Sequence, residues 1–312
     1  MPDNQIDILT ALYNVYPEAM ILMNPHTAHL VVEGHRLMSQ QTIPGVEIKV
    51  EETEEAIVAR ITVAEGVRVQ NPIHSCIGVM ASHGSQRIRL RVRLEPGSYA
   101  ELLAHCMFPN AAQVQHVMEA EVEVGEGAEL RHSEGHFHGP YGGIEVIPHA
   151  IVNIHPDGRY FSDFSLRVGR VGTLRIDYKV NAGDNAVVEI SARVFGHATD
   201  DIRIEDELVL AGKHSRGLIK TRVAVEQDAR SEVIGITHGN AEGARGHMDC
   251  TELVRDRAVA KAEPIVNVEH PLAKVTHEAA VGTVDQKQLE TLMAHGLTPQ
   301  EAVDVIIMGL LR

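Results

Sequence analysis

The chain has 312 residues, 43 acidic and 28 basic, for a formal net charge of −15. That length supports a large core in one or two domains, and the acidic balance argues against a nucleic-acid partner. No run approaches the roughly 18 uninterrupted apolar residues of a membrane span.

The opening stretch, MPDNQIDILTALYNVYPEAM, has neither a basic n-region nor a signal-peptide pattern. Three cysteines argue against a disulfide framework and for a reducing cytosol, so a cytoplasmic protein is expected. Nineteen histidines alongside no tryptophan point toward metal chemistry, although most are expected at surfaces or turns.

Residues 4–15 read as one amphipathic helix with Ile6, Leu9, Leu12 and Tyr13 on a single face, and residues 1–27 as an N-terminal helical region. From Ala28 the pattern changes to period two. Ile88, Leu90, Val92 and Leu94 alternate with Arg87, Arg89, Arg91 and Arg93, which describes a half-buried strand with a basic outer face.

A loose repeat follows. Leu94, Val124, Ile154, Val180, Leu210 and Val225 occupy equivalent apolar positions, at spacings of 30, 30, 26, 30 and 15 residues. Gly97, Gly127, Gly183 and Gly212 mark turns where positive φ is expected. No helical pattern interrupts residues 45–270, so a doubly wound α/β sheet is excluded. The repeat suggests a β-solenoid in which each coil buries its face on the next. An antiparallel β-sandwich gives similar spacings, and the spacing does not separate the two.

The C-terminal region, 285–312, is predicted helical. Asp285 with Gln288 reads as a capping box and Gly296 as a stop. Thr298-Pro299-Gln300-Glu301 restarts a second helix with an N-cap, a proline at its first position and a glutamate at its third. Val303, Ile306, Ile307 and Leu310 share one face, and intramolecular packing is the expected use of that face.

Candidate chemistry lies in two places. In RHSEGHFHGPYGG, His136 and His138 lie on one side of a strand, an HxH pair of the kind a cupin-type metal enzyme uses. The glutamate such a site needs four or five residues on is missing, since Gly142 and Gly143 occupy that interval. The plainer reading is a polar glycine-rich turn carrying solvated histidines, and it is preferred here. The second place is the cysteine set. Cys76, Cys106 and His136 each precede an aligned repeat position (Leu94, Val124, Ile154) by 18 residues. Their common phase predicts a row of thiolate, thiolate and imidazole on one side of the solenoid, on strands about 4.8 Å apart. His74 and His105 lie beside the two cysteines. Cys250 stands apart in HMDCTEL. No CxxC, GxSxG, P-loop or GxGxxG pattern is present.

The stretch from Met248 to Asp285 carries a resemblance. Arg255-Asp256-Arg257, Ala262-Glu263-Pro264, Lys274-Val275-Thr276-His277-Glu278 and Gly282-Thr283-Val284-Asp285 match, in order and spacing, the SufB/SufD family of iron–sulfur cluster assembly scaffolds. Gln288-Leu289, His295-Gly296-Leu297 and Glu301-Ala302 extend the match. The short N-terminal half is most similar to the compact archaeal, SmsB-like form. The resemblance implies a mainly β fold, a right-handed parallel β-helix over residues 28–284 flanked by small helical regions. It implies a non-enzymatic scaffold that builds and transfers iron–sulfur clusters, with 4Fe–4S favoured over 2Fe–2S. ATP hydrolysis then comes from a SufC-like ABC-type ATPase docked on residues 285–312, and apo iron–sulfur proteins receive the cluster.

A homodimer is expected from the general prevalence of two-fold assemblies. In larger relatives a cysteine follows the segment matching Asp256-Arg257. Here that position is Ala258, so Cys250 is taken as its replacement. Cys76, Cys106 and Cys250 are the expected cluster ligands, and the family's functional histidine or glutamate falls on His277-Glu278. Two alternatives stand beside this reading: a β-helical or cupin-like metal enzyme, and a SufD-like structural subunit without a cluster.

Overall fold

A computed structural model describes Leu22 and residues 24–312. The helix expected over residues 4–15 lies outside the described residues. The first strands of the described residues form two antiparallel pairs, β1 (His29–Glu33) with β2 (Arg36–Gln41), and β3 (Val46–Glu52) with β4 (Ile57–Val63). There follow β5 (Ile73–Gly78), β6 (His83–Leu94), β7 (Tyr99–Phe108), β8 (Gln113–Val124) and β9 (Glu129–His138). Then come β10 (Ile144–Ile154), β11 (Arg159–Val168), β12 (Thr173–Ala182), β13 (Val187–Gly196) and β14 (Asp201–Leu210). The last strands are β15 (Arg216–Val225), β16 (Arg230–Gly239), β17 (Arg245–Val254), β18 (Val259–Val268) and β19 (Lys274–Gly282). Two helices end the chain, α1 (Gln286–Ala294) and α2 (Pro299–Leu310).

From β4 onward consecutive strands alternate between two sheets. The even strands β4 to β18 stack in parallel with β3 at one edge; the odd strands β5 to β19 stack in parallel with β1 and β2 at the other. Every coil therefore contributes one strand to each sheet, and the product is a parallel β-solenoid. The parallel ladders rule out the antiparallel sandwich. The aliphatic side chains at alternate positions point into a shared lumen, where Leu94, Val124, Leu166, Val194, Leu210 and Val223 are buried.

The repeat expected from the sequence is right in kind and corrected in register. Leu94 stacks on Val124, and Val124 on Ile154. The next coil is two residues shorter, so Ile154 stacks on Ala182, with Val180 on Val152. Leu210 then follows Ala182, and Val225 belongs to the other sheet, half a coil away.

The turns also differ from expectation. Gly97 and Gly127 have φ of +67° and +62°. In later coils the equivalent residues are Asp157, Asn185 and His214, with φ between 55° and 59°. Gly183 and Gly212 sit two positions earlier and are needed for a different reason. A Cβ on Gly212 would lie 1.9 Å from the Gly183 carbonyl carbon, because successive coils touch backbone to backbone there.

The basic strand behaves as its alternation predicts. Arg87 and Arg89 pair with Glu119, and Arg91 pairs with Glu121, each one coil further on. Both helices are capped at the residues read for them, but at α1 only one half of the expected box forms. The Asp285 carboxylate accepts from the Gln288 N–H, and Thr298 and Glu301 form a reciprocal box. In α2, Val303 and Ile307, with Leu311 beyond it, pack on Phe195 and Ala224 of the odd-strand sheet. Arg167 donates to the Leu311 carbonyl at 3.1 Å.

Candidate metal centre and the solenoid end

In β9 the lumen-facing parity belongs to Leu130, His132, Glu134, His136 and His138. A strand that should alternate apolar side chains into the core therefore inserts four consecutive polar ones. Glu134, His136 and His138 are buried. The preferred turn reading is overturned here: period-two alternation in an extended strand sends these side chains into the lumen, and the glycines that follow lie beyond the strand. The cupin-like alternative also fails as a fold, since that architecture is an antiparallel double sheet.

Cys106 on β7 is in register with His136, and its thiol donates to Glu134 Oε1 at 3.9 Å. His136 Nε2 lies 2.7 Å from the same oxygen. Its Nδ1 lies 3.3 Å from His138 Nε2, and His138 Nδ1 donates to the Arg170 carbonyl at 2.9 Å. From the opposite sheet His116 on β8 reaches into the same space, its ring centroid 6.1 Å from that of His136. Neither ring nitrogen of His116 has a hydrogen-bond partner, nor does Glu134 Oε2, and all three atoms are buried. Each such orphan costs about 1–3 kcal/mol. Phe108 and Phe164 close the cluster, with centroids 4.9 Å from His116 and 4.8 Å from His136.

Burial favours the uncharged form of every member. It pushes the Cys106 thiol well above its usual value, helped by the facing Glu134 carboxylate. The same loss of solvent raises Glu134 and lowers His116, His136 and His138 to about 3. One thiol, one carboxylate and several imidazoles, freed of water, make a donor set for a borderline metal.

The predicted cysteine row does not assemble within one chain. Cys106 pairs in register with Ile77, while Cys76 pairs with His105. Cys76 therefore faces out of the lumen, buried among Val31, His74 and His105, and burial raises its thiol to about 12. The segment from β5 to β6 is one residue shorter than that from β7 to β8, and a one-residue slip sends a side chain to the other face. Cys250 lies on the lumen side of β17, five strands beyond Cys106, or about 24 Å along the axis at the usual strand spacing. Three cysteines this far apart cannot share one cluster in a single chain. Burial, with Glu252 next, raises the Cys250 thiol to about 12.

Cys250 does have a predicted neighbour. On β19, His277 pairs with Met248 and Ala279 with Cys250, so His277 shares the lumen side of the last two odd strands with the thiol. Glu278 pairs with Asp249 and takes the other face. Ala258 lies past the Arg255–Arg257 turn, at the start of the even-strand segment. It stands eight residues beyond Cys250 and past the end of β17, so the two residues do not share a strand.

Two members of the lumenal cluster, His116 and Glu134, were not among the expected ligands. Both were legible as polar residues at core parity, His116 between Val114 and Met118 and Glu134 between Leu130 and His138. Further along the lumen come Tyr160, Tyr178, Asp206 and Glu252, the last held by Ser231.

These features define a parallel β-solenoid with soft and borderline donor side chains in its lumen and near its C-terminal end. The model of the SUF system FeS cluster assembly SufBD core domain matches residues 78–310. The chain is 35% identical over 282 residues to an iron-sulfur cluster assembly SufBD family protein of Methanocaldococcus jannaschii, covering 90% of this chain and 89% of that one. It is 30% identical over 311 residues to a SufBD family protein of Pyrococcus horikoshii, covering 99% and 95%. A SufBD family protein of Archaeoglobus fulgidus is 24% identical over 253 residues, covering 79% and 66%. The chain belongs to the SufBD family of iron–sulfur cluster assembly proteins.

Proposed function

We propose that the protein is a non-enzymatic scaffold on which an iron–sulfur cluster, of the four-iron kind, is assembled and passed to apo-protein recipients. The cluster is its cargo. The observation that carries the assignment of the site is that Cys250 and His277 share the lumen side of the neighbouring strands β17 and β19, two positions apart in register. Beyond β18 and β19 no further strand of the described residues continues either sheet. Such an end leaves the bound cluster reachable by a recipient, whereas the lumen does not. Two donors from one chain are too few for a cluster, and a homodimer joined through these ends brings four together. Glu278, on the other face of β19, borders this end. A SufC-like ABC-type ATPase supplies ATP hydrolysis from a seat on α1 and α2.

The test is anaerobic reconstitution with iron and sulfide, followed by absorption and by iron and sulfide content. Cys250→Ser is expected to lose the cluster, and Cys76→Ser, which faces away from the lumen, to keep it. Full cluster content in the Cys250→Ser protein would overturn the assignment.

A further inference from the structure

We propose a second metal site that holds a single ion and no cluster. Cys106, Glu134, His136 and His116 bind one divalent first-row transition ion, of the zinc or ferrous type, inside the lumen. The proposal is independent of where the cluster is built.

The argument begins with proton positions. The Arg170 carbonyl accepts from His138 Nδ1, so that nitrogen carries the proton and His138 Nε2 presents a lone pair. The lone pair faces His136 Nδ1, which must then carry a proton to make the contact. A neutral His136 is left with a bare lone pair at Nε2. That lone pair points at Glu134 Oε1, itself an acceptor, 2.7 Å away. Two acceptors in contact require a cation between or beside them, either a proton or a metal ion. A hydrogen bond to the far nitrogen of a ligating imidazole is also how metal-binding histidines are held in orientation.

The remaining donors separate the two cations. A proton satisfies the Glu134–His136 contact alone. It leaves both nitrogens of His116 and the second oxygen of Glu134 unpartnered in the core. A metal uses them. The Cys106 sulfur, a Glu134 oxygen and a His136 nitrogen lie within 4.8 Å of one another, near enough for small side-chain movements to bring all three onto one tetrahedral ion. His116, on the facing sheet with its ring centroid 6.1 Å from that of His136, lies outside this set of three and joins the ion as a fourth donor by moving its ring inward, so that both walls of the solenoid hold the ion. One thiolate, one carboxylate and two imidazoles suit zinc or ferrous iron over magnesium or calcium, which prefer oxygen alone. Binding displaces two protons, the thiol proton of Cys106 and the one shared by Glu134 and His136, and both leave to solvent. The apolar wall of Phe108 and Phe164 excludes water from the shell.

Cobalt(II) is the probe, because a tetrahedral cobalt–thiolate centre absorbs in the near ultraviolet by charge transfer and strongly in the visible. The full chain carrying Cys250→Ser, which lacks the proposed cluster ligand, is produced in cobalt-supplemented medium so that the ion is present during folding. One cobalt per chain with the charge-transfer band is expected. Cys106→Ser added to that chain removes the band. His138→Ala keeps the band and weakens binding roughly 10- to 100-fold, as loss of an orienting partner does. Absence of cobalt, or an unchanged band in the Cys106→Ser protein, would overturn the proposal. Because a buried substitution can prevent folding, X-ray absorption at the cobalt edge of the unsubstituted chain gives a test free of lumenal variants. A sulfur atom in its first shell is required, and loss of that sulfur in Cys250→Ser would reassign the thiolate to Cys250 and overturn the proposal. Cobalt retained where the cluster is lost, or the reverse, tells the two sites apart.

Discussion

Asp206 projects from β14 into the lumen between Ile204 and Leu208, and its Oδ2 has no partner. Burial, with Asp177 adding to it, raises its carboxyl from the ordinary 3.8 to about 7. Between those values the folded chain holds a proton that the unfolded chain has released. Stability therefore falls as pH rises from about 4 to about 7 and is level above that. At about 1.4 kcal/mol for each pKa unit, the loss is on the order of a few kcal/mol. Asp206→Asn removes the ionisable group. Urea unfolding should show the variant and the parent alike near pH 4 and the variant more stable at pH 8. Equal pH profiles for the two proteins would show that the Asp206 charge is solvated. Such residues were only partly legible in advance. A polar side chain at core parity can be recognised in a strand, as with His116, but its partners come from neighbouring coils some 30 positions away. The cysteine row failed for the same reason, since one residue in the β5–β6 turn decides whether Cys76 enters the lumen.

Among the elements, α2 was the easiest to read, because its signals are local: the cap, the proline at its start and a face of aliphatic residues. The face divides more finely than its spacing suggests. Val303 and Ile307 are buried against Phe195 and Ala224, whereas Val305 on α2, Met308 on α2 and Met293 on α1 are exposed at 49%, 41% and 39%. A partner ATPase that uses these helices must meet the exposed set. Val305→Asp with Met308→Asp is expected to abolish co-purification with a SufC-like ATPase while leaving the circular dichroism unchanged. Ile307→Asp, by contrast, places a charge in the seam and should release α2 from the sheet, seen as rapid amide exchange confined to the tail. Normal ATPase capture by the folded Val305/Met308 double variant would remove the helices as its seat. The strand Arg87–Leu94 was legible for an equally local reason, an unbroken alternation of arginine and aliphatic side chains.

At the scale of the whole molecule, the stacked coils bury one another along the axis and leave the C-terminal end open. There Val259, Val268 and Val281 stand 54%, 48% and 48% exposed on the final strands. Open strand edges that carry aliphatic residues invite pairing with another chain. Light scattering is expected to find a dimer, and Val268→Asp with Val281→Lys to yield a folded monomer that no longer retains a reconstituted cluster. A wild-type chain that is monomeric at all working concentrations would rule out the two-chain site. Coil number could be anticipated from the recurrence of Leu94, Val124 and Ile154. The two-residue shortening after Ile154 could not, because it follows from how one turn closes, and Val180 offered an equally good aliphatic match.

The regular stacking of β7 to β17 makes the molecule a gauge. Cys106 and Cys250 are kept apart by a whole number of strands, so their separation changes only in steps of about 4.8 Å. A chain one coil shorter or longer would keep both sets of side chains and their chemistry intact. It would change only the distance between the interior thiol and the terminal one, and their facing would be preserved because both sit on the same wall. Length and reactivity are thus written in separate parts of this sequence, the first in the count of coils and the second in a few inward-pointing residues.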